Sequence, residues 1–339
     1  GVVRPFINWG KNLNACNGFQ LYGPCSTRTL TEGRPIYKDN TRKHAVSPHS
    51  RIALLRVRSS VQDAVREVME LAEWQEYIPS EHVFLKINCS SDRLIPGQNT
   101  SPWALEGVLK TLEGRVSDIV VGDSDTVSSS IGRASKVWGY DKLCARYGAR
   151  FVNLTKDKLT PCKINGRAIS KILLPETVLR RSVVSVCVPK THCITLMSCA
   201  LKNQWGILPE FRHKYHLVVD HAIVDINCFL KPCFAIVDGT VCTEGAGPRV
   251  GNPVEGGFVM ASNDIVAVDS AVTAMMGLND SDVKYVRMAH EAGLGSITNV
   301  HVVGDSTFSL NFKPPRKVIT AQIEFLARRS PLSDLIFET

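Results

Sequence analysis

The sequence has no apolar run near the ~18–20 residues that cross a membrane, no internal repeat and no low-complexity tract. Aromatic residues make up only 7% of it and charged residues 21%, whereas hydrophobic residues make up 44%. This composition excludes coiled-coil, collagen-like and disordered chains. No secretory leader is visible after Gly1. We therefore expect a soluble, globular, cytoplasmic protein, with an export leader removed beforehand as the open alternative.

Motifs that read nucleic acid are also lacking, although the net charge is +8. Residues 1–60 contain ten Lys or Arg against only Glu32 and Asp39, so this segment carries the whole excess. Such a basic segment favours contact with an anionic partner or with an acidic patch of the same chain. Because no base-reading or stacking motif accompanies the charge, nucleic acid is not an expected partner. The oligomeric state is left open.

The eleven cysteines include no CxxC pair and no bacterial ferredoxin run. Their number is odd, and a chain of 339 residues does not need disulfides for stability. We expect most of them to be reduced residues that fill the core. An iron–sulfur cluster assembled from scattered cysteines stays open as the alternative.

Apolar runs with strand and helix periodicity alternate along most of the chain, which predicts an α/β fold with mixed or mostly parallel sheets. At 339 residues the chain exceeds the usual size of one core, so two domains are expected. The predicted division is a basic, loop-rich arm over 1–50, an α/β domain over 51–175 and a second over 176–339. A polar site is expected between the two domains, at the carboxyl ends of the strands.

Turn and cap signals give the boundaries of the predicted elements. Ser60 and Ser101 are predicted to cap helices, the second one with Pro at its first position. The predicted strands are 51–58, 82–88, 118–123, 149–154, 182–189, 233–239, 257–262 and segments near 300–312. The predicted helices are 61–72, 102–114, 131–147, 195–203, 218–230, 265–276 and 282–292.

The segment 187–216 holds the densest set of polar groups that follow a buried strand. Lys190 and His192 leave this strand, while Lys202 and Asn203 end a stretch whose other residues are apolar. A buried lysine requires a partner or a ligand, because an isolated buried charge is costly. The alternative is that these are ordinary polar loop residues.

Three histidines of the same segment, His192, His213 and His216, offer imidazole ligands for a divalent metal. His213 and His216 are separated by three residues, so one helical face can present both. Zn, Fe and Ni all suit such ligands, and no HExxH-like motif decides between them. The alternative is that one or more of them form ordinary hydrogen bonds in loops.

A Gly-rich loop over 245–251 contains Gly247 and Arg249 and follows a strand that contains Asp238. Its backbone N–H groups can cradle a phosphate or carboxylate, and Arg249 can clamp the anion. A plain turn is the alternative reading of the loop. Asp238 is the expected acid, base or oxygen ligand at the strand end, and Lys86 is a second charge within a buried strand.

The segments that carry these residues resemble the family called domain of unknown function 362. The resemblance covers roughly 51–312 and lies, in this order, in LKINCSS, VVGDSD, VPKTHCITLMSCALKNQWGILP, HKYH, IVDGTVCTEGAGPRVGNP and MASNDIVAVD. Members of that family are often described as iron–sulfur proteins, which implies a metal or cluster here. This chain differs from the members that carry a ferredoxin module, since it has none.

The spacing of His192, Lys202 and a later His213 or His216 is also similar to the core of nickel-pincer lactate racemases. That similarity implies that Lys202 carries the cofactor and that the histidines act as ligand and acid–base groups. The chain has Ala200-Leu201 where that family has two glycines.

Together these features predict a metal- or iron–sulfur-dependent enzyme acting on a small anionic substrate, a carboxylate or a phosphate. An isomerase or racemase, or an oxidoreductase, is the expected reaction class. The alternatives are a metal or cluster carrier without turnover and an anion-binding module. His192, Lys202 and Asp238 are the expected catalytic residues. The expected substrate-binding residues are Lys86, Lys190, Thr195, Asn203, Gly247 and Arg249.

Overall fold

The computed structural model of the protein describes residues 29–30, 50–126, 129–209, 212–248, 250–310 and 312–313. Most of the expected basic arm over 1–50 and Arg249 lie outside these residues. The described strands are β1 Thr29–Leu30, β2 Ser50–Arg56, β3 His82–Ile87, β4 Asp118–Asp123, β5 Arg150–Asn153, β6 Leu159–Lys163, β7 Lys171–Pro175, β8 Ser182–Cys187, β9 Lys190–His192, β10 Leu196–Ser198, β11 Phe234–Glu244, β12 Asn252–Ser262 and β13 Val300–Gly304.

The helices of the described residues are α1 Val61–Leu71, α2 Pro102–Leu112, α3 Ile131–Trp138, α4 Tyr140–Arg146, α5 Glu176–Leu179, α6 Ala200–Asn203, α7 Val219–Leu230, α8 Ile265–Met275 and α9 Lys284–Glu291. Four 3-10 helices accompany them, at Trp74–Glu76, Leu154–Lys156, Gln204–Ile207 and Arg212–Val218. Across the part of the chain that the structure describes, no helix has both the length and the apolar character needed to cross a membrane.

One large mixed sheet dominates the fold, in the strand order β13-β2-β12-β11-β8-β3-β4-β5. Neighbouring strands are parallel except for the pairs β2–β12 and β12–β11, which are antiparallel. The short hairpin β9–β10 joins this sheet through β11, and β1, β6 and β7 form a separate small sheet. The predicted α/β class with a mixed, mostly parallel sheet is confirmed.

Alternating side chains of the strands bury both faces of the large sheet. Phe84 belongs to one apolar cluster, and its neighbours Val83 and Leu85 belong to the other, because successive side chains of a strand point to opposite faces. The cluster of Val83 includes residues of α1 to α4, and that of Phe84 includes residues of α5 to α9 and of the small sheet. The molecule therefore has helices on both faces of one sheet.

The boundary expected after residue 175 does not separate two sheets. β8, from the second half of the chain, pairs with β3, and β12 pairs with β2, so one sheet contains strands from both halves. The boundary separates the helices of one face from those of the other. Sequence patterns identify a buried strand but not the strand it pairs with, which is why two sheets were expected.

The cap signals set the helix starts as predicted. Ser60 Oγ accepts the N–H of Asp63, and Ser101 Oγ accepts the N–H of Ala104. The helix predicted over 131–147 is instead split in two, because Gly139 adopts a φ of 74° between α3 and α4.

Two differences between prediction and structure affect the site. Three of the nine residues of the helix predicted over 195–203 form the strand β10, which pairs with β9 in a hairpin, and Leu196 has a φ of 63° there. In addition, β11 continues past Asp238 to Glu244 and pairs at Thr243 with Lys190. This extension carries the Gly-rich loop to the side of β9.

Candidate functional site

Buried polar groups collect at the carboxyl ends of β3, β4 and β8, where the sequence predicted a site. Lys86 is near the end of β3 and Asp123 is the last residue of β4. Lys190 begins β9, shortly after β8, and Lys202 lies on α6. Because parallel strands bring their carboxyl ends to the same edge, these lysines meet at one end of the sheet.

Lys86 and Asp123 form a buried ion pair at the base of this site. Lys86 Nζ lies 2.9 Å from Asp123 Oδ2 and donates to the carbonyl of Ile87 at 2.6 Å and to Asn203 Oδ1 at 3.2 Å. Burial lowers the pKa of Lys86, and the charge of Asp123 opposes that effect. The three donors of an ammonium group are thereby occupied. Lys86 thus holds the ends of β3 and β4 together, and its role in substrate binding stays a prediction.

Asn203 is likewise committed to neighbouring strands. Its side-chain amide donates to the carbonyl of Lys86 at 2.7 Å and to Ser185 Oγ at 3.1 Å. It ties α6 to β3 and β8, and so fixes the helix that carries Lys202.

Lys190 is 2% exposed, and its described hydrogen-bond acceptors are neutral. Its Nζ donates to Asn88 Oδ1 and to the carbonyl of Gln98. Burial lowers its pKa to about 7, against the opposing negative charge of Asp123. As a neutral amine, Lys190 would use both N–H groups in these two bonds and keep its lone pair for another contact.

The ring of His192 has its tautomer set by the turn between β9 and β10. Nδ1 faces the backbone N–H groups of Ile194, at 3.1 Å, and Thr195, at 3.4 Å. An atom that accepts N–H groups carries no proton, so the ring proton of the neutral form lies on Nε2. Burial first, and then the charges of Lys202, His216 and Lys190, hold the pKa of His192 well below its usual value.

Lys202 is only 8% exposed and has no hydrogen bond or ion pair with any described residue. Its Nζ lies 5.6 Å from the centroid of the Trp205 ring. Burial lowers its pKa to about 8, and the charge of Arg212 adds to this effect, while Cys193 and Asp220 oppose it. A ring face compensates an ammonium group only partly. Among the described residues, no carboxylate lies within ion-pair distance of Lys202, so Asp220 offsets its buried charge only from farther away.

Two residues outside the predicted site set hold this region in place. Asp269 accepts the N–H groups of Ala200, at 2.7 Å, and of Leu201, at 3.1 Å, at the start of α6. Arg212 donates to Ser124 Oγ at 2.7 Å and to the carbonyls of Leu208, Asp125 and Trp205 at 3.0, 3.0 and 3.2 Å. The sequence carries no local signal for the backbone groups that these two side chains bind.

Other expected site residues are engaged locally. Asp238 accepts the N–H of Ser101 at 2.7 Å and the hydroxyl of Thr240 at 2.6 Å, so it anchors the start of α2. Thr195 Oγ1 donates to the carbonyl of Met197 at 2.8 Å. The carbonyl of Gly247 accepts the N–H of Cys193 at 3.1 Å, which places the Gly-rich loop beside His192. Arg249 lies outside the described residues.

Comparison with known proteins places the chain in a family. The family model described as Domain of unknown function (DUF362) matches residues 83–274, which is more than half of the chain and includes Lys86, Lys190, His192 and Lys202. The chain belongs to the DUF362 family. A thylakoid-associated protein of Synechocystis sp. is 24% identical to this DUF362 protein over 253 residues, 71% of this chain and 75% of that protein.

Among solved structures, the lactate racemase apoprotein from Thermoanaerobacterium thermosaccharolyticum is similar to this DUF362 protein with a TM-score of 0.37 and 12% identity. The similarity covers 62% of this chain and 54% of the racemase chain, so the DUF362 protein spans about half of the racemase's length.

The expected metal ligands do not form a ligand set in the described part of this DUF362 protein. The rings of His213 and His216 lie together, with centroids 4.7 Å apart, in the 3-10 helix Arg212–Val218. Among the described residues, however, no three His, Cys, Asp or Glu side chains are disposed to hold a metal ion. His192 fits a metal poorly for a further reason, because Nδ1 accepts backbone N–H groups and Nε2 retains the proton.

The described cysteines do not fit an iron–sulfur cluster either, which needs four thiolate ligands. Six of them are buried, as expected for residues that fill the core: Cys89, Cys144, Cys162, Cys187, Cys199 and Cys242. Cys187 and Cys199 approach to 3.5 Å between sulfur atoms, and burial raises the pKa of Cys199. No third cysteine joins this pair in a group disposed to hold a metal among the described residues.

Proposed function

We propose that this DUF362 protein is an enzyme that binds a small carboxylate at Lys202 and catalyses proton transfer at the adjacent carbon. The observation that carries the proposal is the buried ammonium group of Lys202, which forms no ion pair with any described residue. An unpaired buried charge is costly, and a bound carboxylate would supply the missing counter-charge. The site therefore favours a substrate with a negative group of this kind.

Lys190 is suited to act as the base. Its pKa of about 7 makes a substantial fraction of it a neutral amine at neutral pH. Asn88 and Gln98 accept its two N–H groups, which orients the remaining lone pair. Lys190 and His192 also lie two residues apart in β9, and alternate residues of a strand share a face.

His192 is suited to stabilise negative charge. When the amine of Lys190 removes a proton from the carbon beside the carboxylate, the electron pair of the C–H bond moves into the carboxyl group. The Nε2–H of His192 and the ammonium group of Lys202 would stabilise the resulting enediolate. Return of the proton from Lys190 restores the acid, and it inverts the carbon when the planar enediolate has first turned its other face to Lys190. The reaction class is therefore that of an isomerase or racemase.

The experiment that tests this proposal follows hydrogen exchange into the substrate. A panel of small chiral carboxylates is incubated in D₂O with the protein, and the proton beside each carboxylate is followed by ¹H NMR. We expect one or more members to lose this signal with the native protein and with the exposed-surface variant Lys136→Met. Lys190→Met and Lys202→Met should abolish the loss.

Two results would contradict the proposal. Exchange that persists in Lys190→Met would remove Lys190 as the base. Binding of carboxylates through Lys202 without exchange in any member of the panel would indicate an anion-binding module without turnover.

A further inference from the structure

Exposed apolar side chains concentrate in three segments around this site. These segments are the turn between β9 and β10, the 3-10 helix Arg212–Val218 and the Gly-rich loop over 245–251. The described residues include seven large hydrophobic side chains that are exposed, and four of them lie in these segments. We call these four the apolar rim: Ile194, Leu217, Val218 and Val250. Single exposed apolar residues are ordinary on a protein surface, but a local concentration of them marks a surface that binds something.

Each member of the apolar rim belongs to a segment that lies close to His192 or Lys202. The N–H of Ile194 is bonded to His192 itself, 3.1 Å from Nδ1. Leu217 and Val218 follow His216, whose charge acts on His192. Tyr215, in the same 3-10 helix, packs edge-on against Trp205 with ring centroids 6.2 Å apart, and Trp205 contacts Lys202.

Val250 reaches the same region through the Gly-rich loop. The carbonyl of Gly247 accepts the N–H of Cys193, the residue after His192. A side chain at Gly247 would collide with the backbone of Thr191, so this loop packs closely against β9. Val250 follows three residues later and is exposed.

From this arrangement we infer that the substrate is an amphipathic anion, with a carboxylate head at Lys202 and an apolar body against the rim. This inference rests on the proposed function and specifies its substrate class. The buried cations provide the charge complement of the head, while the rim would bury apolar surface of the body. A small hydrophilic acid would leave the rim exposed to water and gain nothing from it.

Binding of acetate and octanoate to the full chain tests the inference, because the two ions share a head and differ only in the apolar body. Both dissociation constants are measured by NMR titration at pH 7, with octanoate kept below its micelle concentration and 1-octanol as the uncharged control. We expect octanoate to bind at least about tenfold more tightly than acetate, since burying even part of its chain is favourable. 1-Octanol should bind more weakly than octanoate.

Variants locate the apolar contact. Ile194→Ser and Leu217→Ser should each reduce the advantage of octanoate severalfold and leave acetate binding unchanged. Leu94→Ser serves as the matched control, because Leu94 is exposed but lies outside the rim. It should bind both ions as the native protein does.

The outcomes separate this inference from the proposed function. Equal affinity for acetate and octanoate, with both lost in Lys202→Met, would overturn the amphipathic substrate but retain the anion site. Octanoate binding that is insensitive to both Lys202→Met and the rim variants would overturn the inference as nonspecific adsorption. Failure of both ions to bind would overturn the inference and the anion site together.

Discussion

Lys86 Nζ lies 2.9 Å from Asp123 Oδ2, and these side chains are only 1% and 6% exposed. The backbone N–H of Cys89 and that of Ser124 also donate to the carboxylate of Asp123, at 2.9 and 2.8 Å. The pair therefore links the ends of β3 and β4 with the loop that follows β3. It lies close to Lys190, whose pKa both charges affect.

Removing one partner of this pair should be strongly destabilising. Asp123→Ala leaves the ammonium of Lys86 buried without an anion, and we expect a loss of about 3–5 kcal/mol in the free energy of unfolding. Denaturant unfolding followed by circular dichroism measures it. Asp63→Ala, which breaks an exposed contact with Arg66, should cost about 1 kcal/mol or less. A similar small cost for Asp123→Ala would contradict a structural role of the pair.

Gly206 should be sensitive to substitution because it leaves room for the same pair. A Cβ at this position would lie 2.6 Å from Lys86 Nζ and would also collide with Asp123 Oδ1. We expect Gly206→Ala to lower the free energy of unfolding by about 1–3 kcal/mol. Gly132→Ala is the matched control: its nearest neighbour is 3.8 Å away, and alanine should stabilise α3 by about 0.5–1 kcal/mol. Tolerance of Ala at 206 would contradict the close packing described.

The carboxyl group of Asp269 should make stability depend on pH. Burial raises its pKa to about 7, well above the ordinary value of 3.8. The folded state therefore binds this proton more tightly than the unfolded state, and the stabilisation is complete below pH 3.8 and lost as the pH rises through about 7. Asp269→Asn cannot titrate. Unfolding measured between pH 4 and 8 should show a smaller decline for this variant than for the native protein, and identical slopes would contradict the shift.

The sequence predicted a cluster of polar groups at the carboxyl ends of the strands, but not all of their contacts. Ser60, Ser101 and the buried strands identified the elements correctly, because caps and apolar runs act locally. The hairpin β9–β10 was missed because its strands have three residues each, too few for a periodic signal. Pairing between distant strands, which merges both halves of the chain into one sheet, leaves no local pattern at all.

The site residues likewise show that the sequence reveals local features but not contacts between distant parts of the chain. The rule that a buried lysine needs a partner or a ligand singles out Lys86 and Lys202 in the sequence, but it does not show which of them has an ion-pair partner in the same chain. Asp238 ended a predicted strand and suggested chemistry, although its carboxylate anchors the N–H of Ser101. Asp123 could not be matched with Lys86 because the two lie on different strands whose pairing the sequence does not specify.

The proposed reaction should have a bell-shaped pH dependence. Activity should rise as Lys190 loses its proton near pH 7, and fall as Lys202 loses its charge near pH 8. Lys202→Arg keeps the positive charge at high pH, so its falling limb should move upward by more than one pH unit even where the activity is lower. Initial rates of deuterium exchange between pH 5.5 and 10 provide the measurement. If the activity of Lys202→Arg falls at the same pH as that of the native protein, the loss of activity at high pH is due to a group other than Lys202.

The most direct test of the central claim is the affinity for acetate of the native protein and Lys202→Met from pH 6 to 10. We expect the native protein to bind most tightly below pH 8 and to lose affinity as the pH rises through about 8, where the ammonium of Lys202 loses its proton. Lys202→Met should fold normally by circular dichroism and bind at least about tenfold more weakly at pH 6.5, a loss of about 1.4 kcal/mol or more. Native-like affinity in Lys202→Met, with the same pH dependence, would contradict the assignment of Lys202 as the anion-binding residue.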